Sequence, residues 1–411
     1  MTDRIKVESC FIRNYGLSGW DEKIAGKWDY RDLVKDDQWR DGWISFDSLL
    51  WDDTTGKLYC GLNSIDGDIL YSFDPDTRQF TSLDAKSWAD PFDVKIHRTI
   101  LKNPYDGCLY FGTSLLHEID QQQDAPGGKL VKFDPVTSQY EILGIVFPHL
   151  YIQSIAADFQ RGYLYAFTYP AEFVIQFDLK TRKSKILAYL SNSLLFAQPH
   201  NGVVDKYGAL WGTYAETRAW DEKTGTMPIR IFKYDPETDS ITWFRRRLPG
   251  KADKNQLIVD PSGLKAAEFG ADETRHKEDY GFCDSMLYDG DRYIYAGTVF
   301  GVLARIDIET GEVEKICHLM SAGRLPALTI DQAGNIYAAG GMKHHTHLFR
   351  WNPRSKELFH YGEIIDPSTN ESPSRVHEIA IDDKGRIYLA ENDNHHRSSY
   401  LWIVKEWDLS F

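Results

Sequence analysis

The stretch GGMKHHTHLF, residues 340 to 349, places three histidines within four positions. Imidazole binds cations when neutral and carries protons near neutral pH. In an extended segment His345 and His347 share a face while His344 points the other way, because side chains alternate along a strand. Two imidazoles so placed can share a divalent cation such as manganese, zinc or calcium, with a further ligand from a neighbouring loop. His395 and His396 are the candidates to complete that shell, and a polar rim without a metal is the plainer alternative. Other chemistry-bearing residues lie in KIHRTI (His97), LLHEID (His117), FTYP (Tyr169) and QPHNGVV (His200, Asn201).

The elements that must hold these residues repeat. YSFDPDTRQF, VKFDPVTSQY, IQFDLKTRKS, FKYDPETDSI, ARIDIETGEV and FRWNPRSKEL are six copies of one phrase, an apolar strand running into a polar turn and a further strand. A second phrase, strand, Asp/Gly turn and strand ending in small residues, occurs seven times, from LLWDDTTGKLYCGL to IAIDDKGRIYLAEN. Four short strands per unit, repeated at comparable intervals, predict an all-β fold, a seven-bladed β-propeller. Blades are expected at about 45 to 84, 95 to 144, 151 to 189, 197 to 247, 281 to 320, 325 to 362 and 375 to 407. The last lacks the FDP phrase, and RIKVESCFIRN near the N-terminus is the strand expected to complete it and close the ring. Residues 1–44 are thus read as a closing strand with a face-crossing segment, and 45–411 as the propeller.

In a propeller the innermost strands all begin on one face, so aligning the repeats shows which residues gather there. The openings fall at Asp47, His97, Gln153, His200, Asp284, Leu325 beside Arg324, and His377. The turns between second and third strands add Asn63, His117, Tyr169, Tyr214, Arg218, the 344–347 histidines, and His395, His396 and Arg397. A structural ring would favour small or apolar residues at these places. Each residue alone also has an ordinary reading: a histidine bonded to a neighbouring backbone, or a tyrosine packed with its hydroxyl in water. Insertions at 214–230 and 248–280 have lengths that suit loops lining or covering a site.

Composition narrows the function. A net charge of -14 disfavours nucleic acid, and no run is long and uncharged enough to span a bilayer as a helix. The opening MTDRIKVESC carries no apolar signal core, and five cysteines without CxxC spacing argue for reduced thiols. The expectation is a cytoplasmic protein, and a small anionic substrate stays open provided basic side chains gather locally.

These residues resemble the propeller polysaccharide lyases, a group that includes ulvan lyases, rhamnose-glucuronate lyases and, more distantly, oligogalacturonate lyase. The resemblance implies a carbon-oxygen lyase cleaving a uronate-containing oligosaccharide by β-elimination. It implies His97, His117 and Tyr169 as catalytic, with the further histidine His200; the gathering of the aligned openings and turns at one face offers Asn201, Gln153, Tyr214, Arg218, Asp284, Arg324 and His377 as substrate-binding. The family's arginine has no counterpart at its expected place, so Arg218, Arg324 or Asn201 must stand in for it. A glycoside hydrolase on the same scaffold is an alternative, although such enzymes mostly need two flanking carboxylates, and only Asp47 and Asp284 open inner strands. A non-catalytic interaction scaffold is the third reading; it predicts an apolar face.

Overall fold

The computed structural model describes residues 5–16, 35–98, 100–115, 121–192, 201–215, 229–249, 257–259, 283–320, 323–394 and 396–406. Their architecture follows from turn chemistry. In each of the six FDP-type phrases the Asp or Asn at the shared position caps the turn between third and fourth strands. Asp74 Oδ1 accepts from the Asp76 and Thr77 amides at 2.9 and 3.0 Å. Asp134, Asp178, Asp235, Asp307 and Asn352 accept from the amide two residues on in the same way. Four residues after each cap the backbone turns left-handed, at Arg78, Ser138, Arg182, Asp239, Gly311 and Lys356. A side-chain acceptor that mimics a backbone turn is why Asp and Asn suit this place. The seven phrases between first and second strands work alike, their caps being Asp52, Asn103, Asp158, Asp205, Asp289, Asp331 and Asp382.

The chain divides into two compact units, residues 1–155 with 364–411, and residues 156–363. The first unit holds three sheets. One contains Ile44–Asp52, Lys57–Ser64, Leu70–Asp74 and Gln79–Ser82, extended by Asp93–Lys95 and Ser114–Leu115. A second runs Leu101–Lys102, Leu109–Gly112, Lys129–Asp134 and Gln139–Ile145. In the third, Val376–Ile381, Ile387–Glu391 and Leu401–Glu406 are completed by Ile5–Cys10, which pairs antiparallel with Leu401–Glu406 from Ile5 opposite Glu406 to Cys10 opposite Leu401. The N-terminal strand therefore finishes the last blade, as its sequence predicts. Phe46, Leu58, Leu62, Phe73, Ala390 and Leu401 form one continuous buried cluster between the first and last sheets.

The closing region carries a buried ionic network. The Glu391 carboxylate, fully buried, accepts from Arg397 Nη1 and the Tyr400 amide on Oε2 and from the Ser374 amide and Asn394 Nδ2 on Oε1, all at 2.7–2.8 Å. Arg397 also lies 3.6 Å from the Tyr400 ring centroid. Within the segment expected to cross a face, Asp37–Gly42 is a short helix capped by Asp36, with Trp39 buried and stacked on Trp43 at 4.7 Å.

The second unit is built from four sheets. The strand Tyr151–Asp158, which begins in the first unit, leads into Tyr163–Tyr169, Ala171–Asp178 and Lys183–Asn192. Gly202–Val204 to Ser240–Arg247, Cys283–Tyr288 to Val313–Met320, and Arg324–Ile330 to Glu357–Glu363 follow. Of the 248–280 insertion, Leu257–Val259 adds a parallel fifth strand beside Val313–Met320; most of the rest of it, and of 214–230, lies outside the described residues. Trp211, Ile231, Ile294 and Ile306 are among its fully buried side chains.

Two glycines show how second strands position the next blade. A Cβ on Gly61 would stand 2.8 Å from Ile96 Cγ2, and one on Gly112 would stand 2.6 Å from Ile152 Cγ2. The small residues ending these strands thus make room for the side chain just before His97 and just before Gln153.

Candidate active site and cation centre

Four inner strands break register at the same place. The shifts fall between Phe46 and Ser48, Cys283 and Ser285, Arg324 and Ala327, and Val376 and Glu378. A bulge re-aims the extra side chain, and the residues at the break include Asp47, Asp284 and His377. Sequence alignment of the repeats had put these three at strand openings; the bulge is the physical device that singles them out.

In the first unit, Asp47, His97 and His377 converge, each offering one ligand atom within 4.8 Å of the others. His97 is not in a strand, contrary to the expected second blade. Asp93–Lys95 pairs instead at the edge of the first sheet, Asn63 opposite Lys95, and the Ile96 amide donates to Leu62 O at 3.0 Å. His97 then sits in the irregular link to Leu101–Lys102, followed by Arg98 with φ of 46°. Its Nδ1 lies 2.7 Å from the Gln153 carbonyl, and its Nε2 lies 3.0 Å from His377 Nε2. Gln153 thus enters through its backbone. His377 Nδ1 is 3.1 Å from the Asp47 carbonyl and 3.4 Å from its Oδ1.

The surroundings are strongly polar. Asp47 is fully buried, takes a hydrogen bond from Asn392 Nδ2, and has Lys95 Nζ 3.3 Å from Oδ2. Burial pushes its carboxyl up to about 6, against the pull of Lys95. Desolvation likewise pushes the neighbouring Glu378 up to about 7, with Arg98 the cation opposing it. Lys95, Arg98, Glu378 and Asn392 were not among the sequence candidates; the side chains flanking His97 and His377 were the available signal.

The second unit repeats part of this plan. Asp284, at its bulge, is buried and grips Arg324 through two points, Arg324 Nε to Oδ2 at 2.8 Å and Nη2 to Oδ1. Both residues expected to bind substrate are therefore committed to each other. Asn201 is buried, its Nδ2 donating to Cys283 O at 3.4 Å. The Tyr214 hydroxyl donates to Phe244 O at 3.1 Å on the outermost strand and its ring meets Trp243 edge-on, so it packs the sheet. Tyr169 ends its strand half-buried.

The histidine turn is placed differently from expectation. His345 and His347 open the third strand of their sheet and reach its outermost strand: His345 Nδ1 lies 2.9 Å from Glu363 Oε1, and His347 Nδ1 lies 3.2 Å from His360 Nε2. Burial, with lesser contributions from His360 and His345, pushes His347 down to about 4. Glu363 and His360 were missed because only strand register brings them alongside. His396 has its amide on Asn394 Oδ1; His117, His200, Arg218 and His395 lie outside the described residues.

No family model matches the chain, and no curated protein matches it. Solved structures do. Streptogramin B lyase is similar at TM-score 0.59 and 11% identity, with 99% of each chain covered. The fold is that of a seven-bladed β-propeller. A catalytically inactive histidine-to-alanine form of virginiamycin B lyase from Staphylococcus aureus, with quinupristin, is similar at TM-score 0.56 and 12% identity, over 98% of this chain and 99% of that one. The extracellular domain of a one-component system from B. thetaiotaomicron is similar at TM-score 0.54 and 15% identity; it covers 88% of this chain, which spans only 38% of that one.

Proposed function

We propose that this chain is a carbon-oxygen lyase that cleaves a uronate-bearing oligosaccharide by β-elimination, with Asp47, His97 and His377 at the centre that receives the carboxylate. One observation carries the reading. Both Nδ1 atoms face backbone carbonyls, which only accept, so both must carry hydrogen. Two neutral rings would then point lone pairs at each other across 3.0 Å. The pair needs positive charge between its Nε2 atoms, and Lys95 and Arg98 add more beside it, in a chain whose net charge is -14.

Positive charge is what elimination next to a carboxylate requires. The proton on the adjacent carbon becomes acidic only when the carboxylate is neutralised and the enolate-like intermediate is stabilised in a preorganised site. A base removes that proton, the bond to the leaving oxygen breaks, and an acid protonates the oxygen. The resemblance brings His97 and His117 to the reacting carbon, and Tyr169 is the candidate acid or acid/base. The lyases that share this fold support the reaction class, and a histidine-to-alanine form of one of them is inactive.

The test is a panel of uronate-bearing oligosaccharides. Elimination leaves a 4,5-unsaturated uronate that absorbs in the ultraviolet, and His377→Ala should lose about a hundredfold to ten-thousandfold in rate while remaining folded. Reducing ends without the chromophore would replace the lyase with a hydrolase. No cleavage of any member would leave a binding scaffold.

A further inference from the structure

We propose that His97 and His377 hold a divalent first-row cation of the zinc class between their Nε2 atoms, with Asp47 as third ligand. The inference concerns what sits between the rings and stands whether or not the substrate is a uronate.

The hydrogen bonds fix the tautomers. His97 Nδ1–H donates to Gln153 O at 2.7 Å and His377 Nδ1–H to Asp47 O at 3.1 Å, leaving two Nε2 lone pairs aimed at one point from 3.0 Å apart. Metal-binding imidazoles characteristically donate their other N–H to a carbonyl or carboxylate, which orients the ring and raises its basicity. Zinc bonds of about 2.0–2.1 Å at a tetrahedral angle put two nitrogens roughly 3.3–3.4 Å apart. The rings need to part by only a few tenths of an ångström to admit the ion.

The third ligand is close by. Asp47 offers a carboxylate oxygen, and each histidine one ring nitrogen, within 4.8 Å of one another, and Asn392 Nδ2 donates to its Oδ1. A single proton shared by the rings would relieve the lone-pair conflict but make no use of the carboxylate; a divalent ion engages all three groups. Two imidazoles and one carboxylate suit zinc and leave a coordination position open for water or a ligand. Among the described residues no other group of three such side chains comes as close; His345 pairs with Glu363 and His347 with His360.

The full chain, purified without a histidine tag and stripped with chelator, is titrated with zinc chloride in a calorimeter. One equivalent should bind, and His97→Ala and His377→Ala should each weaken it at least tenfold. His318→Ala, which alters a ring that lies 2.9 Å from the Phe300 carbonyl, should bind as the parent does. No uptake, or uptake undiminished in His377→Ala, overturns the proposal. Should the alanine variants fail to fold, nitrogen-15 spectra of the parent decide: zinc should move the Nε2 resonances of both rings, whereas an imidazolium pattern indifferent to zinc would identify a shared proton instead.

Discussion

Ile96 lies so close over Gly61 that a methyl group at position 61 would stand 2.8 Å from its Cγ2. Ile96 is fully buried, and the next residue is His97. Packing on the second strand of one sheet therefore sets the height of an imidazole in the next segment of chain. Gly61→Ala should cost about 1–3 kcal/mol, the usual penalty of overpacking, read as a lower urea midpoint. It should also weaken any ligand held by His97; unchanged stability would show that Ile96 can give way freely.

Asp284 and Arg324 offer a sharper energetic test. Arg324→Met leaves a buried carboxylate without its cation and should destabilise the fold by on the order of 3 kcal/mol. Adding Asp284→Asn should restore much of that loss. Equal destabilisation in the single and double variants, measured by chemical denaturation, would mean the pair is not energetically coupled.

Stability should fall in mild acid at the His347 site. Because burial holds His347 at about 4 in the folded chain, against 6.5 for the free group, the unfolded chain takes up the proton first. This contribution is whole above about pH 6.5 and is lost as pH falls towards 4, an effect of about 1–2 kcal/mol once screening is allowed for. His360, whose pKa burial also lowers, adds in the same sense. The urea midpoints of parent and His347→Gln should diverge at neutral pH and converge near pH 4.5; parallel curves would place the titration elsewhere.

Removing residues 1–10 should expose the edge of Leu401–Glu406, whose backbone pairs with Ile5–Cys10. An unpaired edge is a template for association. The shortened chain is expected to melt lower and to aggregate on gel filtration, where a monomeric, equally stable product would deny the closing strand its role.

Blade boundaries were legible because they are written in turn chemistry. A capping Asp or Asn acts on amides two or three residues away, so a local phrase such as FDPDTR specifies its turn by itself. Asp47, His97 and His377 were legible as positions but not as a group, since their meeting depends on bulges and on an irregular link that the repeat pattern does not encode. The histidine turn misled for the same reason. HHTH displays a ligand spacing, but the side chains it meets, Glu363 and His360, are chosen by the register of the outermost strand. Tyr214 shows the limit from the other side: read as a turn residue, it lies within the strand Leu210–Ala215 opposite Arg230, and its hydroxyl turns to Phe244 O.

The pairing of Cys10 with Leu401 across about 390 residues has a consequence for synthesis. At translation rates of about 5–20 residues per second, Ile5–Cys10 waits roughly 20–80 s for its partner strand to be made. During that interval IKVESC must remain unpaired in a crowded cell. Lys6 and Glu8 alternate with Ile5 and Val7 along it, and charges on a lone strand discourage partnership with strangers. The segment most exposed to premature association is thus also the one that carries its own deterrent.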